Sequence, residues 1–278
     1  MKKINRRSFL AAAGLTAAAL ALTACGGSAS STASSTASSA ASSDAASTSA
    51  AAELTTVEAG KLTMATNAAF PPYEMTTDAG EFEGIDIDTA KAIAEKLGLE
   101  LQIDDMDFDA ALLSVQQGKA DIVMAGVTVT DERKAVMDFS DSYATGIQSI
   151  IVPEGSDITS PDDLAGKKIG TQRGTTGYIY CSDDFGDDAV VAYDDGLTAV
   201  QALNNGQVDA VVIDNAPAKE FVAANPGLVI LDTSYAEEDY AIGLAKGSAL
   251  EDAVNAALEE LKADGTLQSI VDKYITAE

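Results

Sequence analysis

The sequence contains no histidine, and this absence limits the chemistry that it can perform. Among its 278 residues only two are cysteines, Cys25 and Cys181. A thiol without an imidazole to activate it is a poor nucleophile, so we interpret Cys181 as a small side chain that fills space. Because Cys181 is the only cysteine after Cys25, we expect no intramolecular disulfide in the folded part of the chain.

Positive charge is also scarce. The chain has 17 lysines and arginines against 44 aspartates and glutamates, a net charge of −27. Such a surface repels nucleic acid and favours solubility, so no nucleic-acid partner is expected. The acid-rich stretch 104–116 is not predicted to bind calcium, because Ala110 stands where the loop needs glycine and Gln116 where it needs a bidentate glutamate. We predict no metal site and no cofactor.

Long apolar runs are confined to the first residues, "MKKINRRSFLAAAGLTAAALALTAC". Basic residues precede an apolar stretch from Phe9 to Leu22, and small residues come after it, which is typical of an export signal and too short for a membrane span. "LTAC" resembles the lipobox of bacterial lipoproteins, which implies a signal peptide at 1–24 and a lipid on the Cys25 thiol. "RRSFL" also resembles a twin-arginine signal, so the export route stays open. Removing the signal leaves 13 basic against 44 acidic residues, a formal charge of −31.

Residues 25–53 are almost entirely Ser, Ala, Thr and Gly after Cys25. This composition buries too little apolar surface to offset the entropy of ordering, so we interpret the segment as a tether. About 28 flexible residues reach on the order of 30 Å.

An internal similarity predicts two lobes in the remaining 54–278. "VQQGKADIV" at 115–123 and "LNNGQVDAV" at 203–211 share the end of an apolar-periodic helix, a glycine, an aspartate and a buried strand. Strand and helix patterns alternate around them, which favours an α/β fold with mostly parallel sheets. The segments that carry this alternation are the strands "GKLTMATN" and "LELQI", the helix "DIDTAKAIAEKLG" ending at Gly98, the Ser160-capped helix "SPDDLAG", a helix opened by the capping box "SALE" at 248–251, and a last helix with Leu267, Ile270, Val271 and Tyr274.

Two extended segments, "YATGIQSIIV" and "EEDYAIGLA", lie between the halves. If both cross between lobes, the first lobe comprises 54–144 plus 242–278 and the second comprises 145–241, with two hinge connections. In open α/β sheets, ligands bind beyond the carboxyl ends of the strands. We therefore expect a cleft walled by the segments immediately after the strands "DIVMA", "KKIGTQ" and "DAVVI".

Those three segments are "GVTVTDER", "RGTTG" and "DNAP". The first supplies Thr128, the backbone near Gly126, and Arg133; the second supplies a loop at a helix start; the third supplies Asp214. An arginine fork and backbone donors suit a carboxylate, and an opposing carboxylate suits an ammonium, so the set predicts a site for an α-amino acid zwitterion. Plainer interpretations stay open: Arg133 could pair with its neighbours Asp131 or Glu132, and Asp214 could cap the next helix. By composition alone Phe70 and Phe108 could be core residues, and Thr128 and Thr176 could be ordinary hydroxyls at strand ends.

Over residues 57–275 the sequence resembles the family 3 solute-binding proteins, the polar amino-acid receptors of ABC importers, which have a two-lobed periplasmic-binding-protein fold (type II). The resemblance is carried, in order along the chain, by "AFPPYE" (69–74), "GIDIDTAKAIAEKLG" (84–98), "GKADIVMAGVTVTDERKAVMDFSDSY" (118–143), "DLAGKKIGTQRGTTG" (163–177) and "GQVDAVVIDNAP" (206–217).

The resemblance implies roles for individual residues. Arg133 would grip the α-carboxylate, helped by Thr128, by the backbone at Gly126, and by Thr176 from the other lobe, and Ala125 would be a further ligand-binding residue. Asp214 would accept the α-ammonium. Aromatic rings would sandwich the ligand side chain, and polar residues would contact its end; the aromatic positions are Phe70 and Phe108, and the polar ones are Asn67 and Gln172.

The implied protein is a monomeric receptor, lipid-anchored through Cys25 at the outer face of the cell membrane, that hands an amino acid to an ABC permease and, indirectly, to its ATPase. Two alternatives remain: a secreted enzyme similar to cyclohexadienyl dehydratases on the same fold, and a ligand sensor without transport. Neutral polar amino acids, cystine and basic amino acids are all compatible ligands. An acidic one is disfavoured, although Arg173 keeps it open.

Overall fold

Two β-sheets organise the part of the chain that the structure, a computed structural model, describes, residues 54–275. The predicted signal peptide at 1–24 and the predicted tether at 25–53 with Cys25 lie outside the described residues. Among those described, no helix is both long and apolar enough to cross a membrane.

The first part of the chain builds most of one sheet and its flanking helices, and its second, third and fourth strands form a small antiparallel sheet of their own. Its strands are β1 (Lys61–Thr66), β2 (Ala69–Phe70), β3 (Glu74–Thr76), β4 (Phe82–Glu83), β5 (Glu100–Asp105), β6 (Ile122–Val123) and β7 (Met137–Phe139), and its helices are α1 (Ile85–Leu97), α2 (Phe108–Gln116) and α3 (Asp131–Lys134).

The second part builds another sheet before the chain returns. Its strands are β8 (Ala144–Pro153), β9 (Ile169–Gln172), β10 (Val190–Tyr193), β11 (Ala210–Asp214), β12 (Leu228–Ile230) and β13 (Ala236–Tyr240), and its helices are α4 (Thr176–Phe185), α5 (Gly196–Asn204) and α6 (Asn215–Ala224). The chain then adds β14 (Gly243–Ala245), α7 (Glu251–Ala263) and α8 (Thr266–Tyr274).

The topology confirms the two-lobed α/β fold. The first sheet has the order β5-β1-β6-β14-β7, and the second has the order β10-β9-β11-β8-β12 with β13 also paired to β8. The chain leaves the first sheet after β7 and returns to it from β13 into β14, so two connections join the lobes. The sheets are mixed rather than mostly parallel, because β14 runs antiparallel to β6 and β7, and β8 runs antiparallel to β11, β12 and β13. Residue-level lobe boundaries at 144/145 and 241/242 remain our proposal.

The repeated motif forms the same local structure in both lobes. Helix α2 leads through left-handed Gly118 to β6, and α5 leads through left-handed Gly206 to β11. The aspartate of each motif accepts hydrogen bonds from backbone N–H groups in or just before the neighbouring strand: Asp121 from Thr63 and Val57, both at 2.8 Å, and Asp209 from Lys168 at 2.7 Å. The motif thus ties the strand that it feeds to the adjacent one.

Two predicted helices differ in the structure, one in its type and one in its start. Residues Pro161–Leu164 form a short 3₁₀ helix, although the Asp163 carboxylate accepts from both the N–H and the hydroxyl of Ser160 at 3.0 Å, as a capping pair does. The capping box predicted at 248–251 is wrong, because the Ser248 hydroxyl accepts from the Leu250 N–H within a turn and α7 begins only at Glu251. The chain is still turning out of β14 at that point.

The apolar stripe of α1 is buried as its spacing predicts. Ile87, Ala90, Ile93 and Ala94 are at most 1% exposed, and the helix ends at left-handed Gly98. Cys181 is fully buried on α4 among apolar side chains of the second lobe, in agreement with its interpretation as a filling side chain.

We expect Asp121→Ala to lower the free energy of unfolding by about 1–3 kcal/mol, because it leaves the buried Thr63 N–H without an acceptor. Urea denaturation measures this difference. The matched control is Asp209→Ala, whose loss should be smaller because Asp209 is exposed and water can replace it. Equal losses in the two variants would contradict the role of burial.

Candidate functional site

A narrow cleft lies between the lobes, and its walls stand so close that they enclose only about 10 Å³, roughly the space of one water molecule. All the residues that the sequence predicts for the site line this cleft, together with Glu74 and Thr175. The predicted residues are Asn67, Phe70, Phe108, Ala125, Gly126, Thr128, Arg133, Gln172, Thr176 and Asp214. Their assembly in one place is a geometric result, and their roles toward a ligand stay predictions.

Arg133 is a buried cation that bridges the two lobes. Its side chain rests 5.3 Å from the centre of the Phe108 ring, and the residue is 8% exposed. Nη1 donates to the Thr128 carbonyl at 2.7 Å and Nη2 to the Gly174 carbonyl of the opposite lobe at 3.1 Å. Burial lowers the pKa of the Arg133 guanidinium, while the charge of Glu238 acts in the other direction. Pairing with exposed Asp131 or Glu132 is therefore not what holds it.

The segment after β6 presents its backbone to the cleft in a defined pattern. Thr128 pairs with Tyr240 in an isolated antiparallel bridge. The backbone hydrogen bonds of this bridge are made by the residues on either side of Thr128, Val127 and Val129, and not by Thr128 itself. The Thr128 N–H is therefore left out of the ladder. The Gly126 N–H instead donates to the Asp86 carboxylate at 3.0 Å, so this glycine offers a ligand its carbonyl rather than a donor. That differs from the expected role of Gly126 beside a carboxylate.

The loop before α4 faces Arg133 from the second lobe. Gly174 has a φ of 73°, and a Cβ at that position would lie 1.6 Å from the Asp109 carboxylate of the first lobe. The left-handed φ is the reason for glycine at this position, because the exposed Asp109 side chain could turn away from a Cβ. Thr175 caps α4 and Thr176 is its first residue, so the free N–H groups and the positive end of the helix dipole face the cleft.

Asp214 ends β11 and is held by side chains of neighbouring strands. Its carboxylate accepts a hydrogen bond from the Tyr240 hydroxyl and another from Gln148 Nε2 at 2.8 Å. Although Asp214 occupies the N-cap position of α6, its side chain makes no cap hydrogen bond, so helix capping does not explain it. Burial raises the pKa of Asp214, and the nearby Glu238 charge raises it further, to about 7.

The remaining predicted residues form the opposite end of the cleft. Gln172 Nε2 donates to Asn67 Oδ1 at 2.8 Å across the lobes, and Asn67 Nδ2 donates to the Met106 carbonyl at 2.9 Å. Phe70 packs against Gly126, whose added Cβ would meet the ring at 2.8 Å. These groups surround a compartment that is polar at its end and aromatic along its sides.

Sequence reasoning missed several residues at or beside the cleft. Glu74 lines it and is fully buried, and burial together with the charge of Asp86 raises the pKa of Glu74. Gln148, Glu238 and Tyr240 lie on β8 and β13, the segments that join the lobes. Their signal was the strand period, since Glu238 and Tyr240 alternate with exposed Glu237 and Asp239 and therefore share the inner face.

Known proteins match this chain over nearly all of its described part. Residues 62–277 match the family described as bacterial extracellular solute-binding proteins, family 3. A probable histidine-binding protein of Neisseria gonorrhoeae is 32% identical over 99% of this chain and 98% of its own length. The L-cystine-binding protein TcyJ of Escherichia coli K12 is 33% identical over 80% of this chain and 85% of its own. A solved ancestral arginine-binding protein bound to arginine is 43% identical with a TM-score of 0.74, covering 78% of this chain and 98% of its own.

We expect the free energy of unfolding to fall as the pH rises from 5 to 8. The pKa of Asp214 is about 7 in the folded protein against an ordinary value of 3.8, so the folded form binds more protons in this range. The stabilisation is complete below the ordinary pKa and is lost as the pH rises through about 7.

Urea denaturation at pH 5 and pH 8 measures this dependence. Asp214→Asn should show a smaller decrease because the titrating group is gone. The control is Asp138→Asn. The hydrogen bond from Lys246 lowers the pKa of Asp138, so this carboxylate stays ionised between pH 5 and pH 8. If the free energy of unfolding of Asp214→Asn changed with pH as much as that of the wild type, the raised pKa would not belong to Asp214.

Proposed function

This chain belongs to the bacterial extracellular solute-binding proteins, family 3, and we propose that its interlobe cleft captures an α-amino acid between Arg133 and Asp214. The protein is an amino-acid receptor of an ABC importer. The observation that carries the binding mode is the position of a buried guanidinium and a buried carboxylate on different lobes of one cleft.

The carboxylate end of the ligand binds at Arg133. The guanidinium uses part of its donor fork on the carbonyls of Thr128 and Gly174, and a carboxylate takes remaining donors. The Thr128 N–H and the first N–H groups of α4 at Thr176 complete this end. A ligand charge there compensates a cation that is otherwise buried among carbonyl groups.

The ammonium end binds at Asp214. The Gly126 carbonyl and the Thr128 hydroxyl oxygen offer further acceptors on the other lobe, which suits the tetrahedral donors of an ammonium group. When the ammonium arrives, the pKa of Asp214 falls because the ionised carboxylate gains an opposite charge.

The ligand side chain extends between Phe70 and Phe108 toward Asn67, Gln172 and Glu74. Among the described residues that line the cleft, Arg133 is the sole cation. The exposed Arg173 instead pairs with Asp194 at 3.7 Å. The compartment therefore favours a polar neutral or basic side chain over an acidic one. The relatives named for histidine, cystine and arginine fall within this range.

Capture couples to closure of the lobes about the two connections. A ligand that touches both lobes has its best contacts in the closed form and shifts the population toward it. The closed, monomeric receptor then delivers its amino acid to the permease. Lipidation of Cys25 would hold it at the outer face of the membrane, with residues 26–53 as the tether.

The two alternatives are not favoured. The relatives named above are binding proteins, which disfavours a dehydratase. A sensor without transport would use the same cleft but lack a permease partner.

A thermal-shift screen of the twenty amino acids and cystine tests the function. A ligand at 100 times its Kd should add about 2.7 kcal/mol to the free energy of unfolding. We expect a polar neutral or basic amino acid, or cystine, to raise the Tm. No shift with any of them would refute the amino-acid cleft.

We expect Arg133→Ala to weaken binding of the identified amino acid by about 30-fold to several thousandfold, because one partner of a buried charge pair is removed. Isothermal titration calorimetry measures this change. Arg173→Ala is the matched control, since that arginine is exposed and does not line the cleft, and it should keep the wild-type Kd. Wild-type affinity in Arg133→Ala would exclude the carboxylate contact.

A further inference from the structure

Glu238 is a buried carboxylate that neither the predicted site nor the cleft lining includes. It lies on β13, is 7% exposed, and faces the same side of the sheet as Gln148 and Asp214 on the adjacent strands. Gln148 Nε2 donates to both carboxylates, at 2.8 Å to Asp214 and 3.1 Å to Glu238. Glu238 is therefore a direct neighbour of the proposed ammonium site.

Glu238 also binds a threonine hydroxyl from each lobe. Its Oε2 accepts from Thr128 at 3.1 Å and from Thr176 at 2.9 Å. A hydroxyl has a single hydrogen to donate. While both hydrogens point to Glu238, the two hydroxyl oxygens can serve a ligand only as acceptors, which fits an ammonium and excludes their use as donors to a carboxylate.

The other oxygen of Glu238 has unused bonding capacity. Oε1 is buried and accepts no hydrogen bond from any residue of the described part of the chain. A buried acceptor without a donor is costly, more so when it is charged. A positively charged donor placed between Asp214 and Glu238 would relieve this cost.

The charges around this pair explain how the two carboxylates influence each other. Arg133 is the nearby cation, and the charge of Asp214 also raises the pKa values of Glu74, Tyr73 and Tyr240, the other titratable groups around it. Glu238 adds a second negative charge to a site where Arg133 is committed to the carboxylate end. The proposed site therefore places two buried carboxylates, Asp214 and Glu238, beside a single positive charge, the ammonium group of the ligand.

We propose that Glu238 is a positioning residue of the ammonium site, which turns the Thr128 and Thr176 hydroxyls into acceptors and supplies a second carboxylate beside Asp214. The inference rests on the proposed function for its ligand. The arrangement in the protein itself can be tested without one.

The first experiment is a carbon NMR titration of side-chain carboxyl groups in the protein without ligand. Glu238→Gln keeps an oxygen that can accept from both threonines but removes the charge. We expect the Asp214 midpoint, near 7 in the wild type, to fall by at least about one pH unit, because the repelling charge is gone. Glu237→Gln, on the exposed face of the same strand, should leave the midpoint unchanged. An unchanged midpoint in Glu238→Gln would overturn the proposal.

The second experiment measures binding by calorimetry between pH 5.5 and 8.5, with whichever of L-arginine, L-histidine, L-glutamine and L-cystine the wild type binds most tightly. We expect wild-type affinity to fall below about pH 7 as Asp214 takes up a proton, and the fall in Glu238→Gln to begin at lower pH. At pH 8.5 Glu238→Gln should bind about tenfold more weakly or worse, and Glu238→Ala more weakly still because the hydroxyls lose their acceptor.

The outcomes separate the two hypotheses. A purely structural role would weaken binding equally at every pH, and a wild-type pH midpoint with weakened binding would therefore refute the positioning role. Wild-type affinity and midpoint in both Glu238 variants would refute it too. If none of the twenty amino acids or cystine binds the wild type, the proposed ligand class fails, and the NMR midpoint still decides the role of Glu238.

Discussion

A guanidinium buried where two lobes meet is the constraint on which the rest of this structure depends. Arg133 cannot remain charged in such a place without acceptors, and it obtains one carbonyl from its own lobe, at Thr128, and one from the other, at Gly174. The hydrogen bond from Arg133 to Gly174 therefore both joins the lobes and helps to compensate the buried charge. The loop before α4 brings the Gly174 carbonyl to the guanidinium, and its left-handed φ of 73° favours glycine at that position.

The strands that join the lobes also carry part of the site. Gln148 on β8 and Glu238 and Tyr240 on β13 hold Asp214 and the two threonines in one hydrogen-bonded cluster. Gly146 lies opposite Glu238, and a Cβ there would come within 2.5 Å of the Tyr240 ring. Because lobe motion in such folds takes place at these connections, the connecting strands and the proposed ammonium site share the same residues.

Local features of the sequence predicted much of this correctly. The stripe and glycine cap of α1, the strand β5, the two glycine–aspartate motifs and the gathering of the predicted residues in one cleft all follow from short-range rules and from strand ends meeting at one edge of a sheet. Two predictions were wrong. The capping box at 248–251 had the right residues, but the turn out of β14 used Ser248 first, and the return strands made both sheets mixed.

The sequence by itself determined the fold class, the order of the elements and the kinds of groups available to a zwitterion, because periodicity and turn chemistry act over a few residues. The tertiary structure alone decided which acceptor each hydrogen-bond donor meets. The Thr128 hydroxyl donates to Glu238, which is 110 residues away, and the Gly126 N–H is taken by Asp86, which is 40 residues away. Such hydrogen bonds depend on distances of tenths of an ångström between distant segments, and no local pattern encodes them.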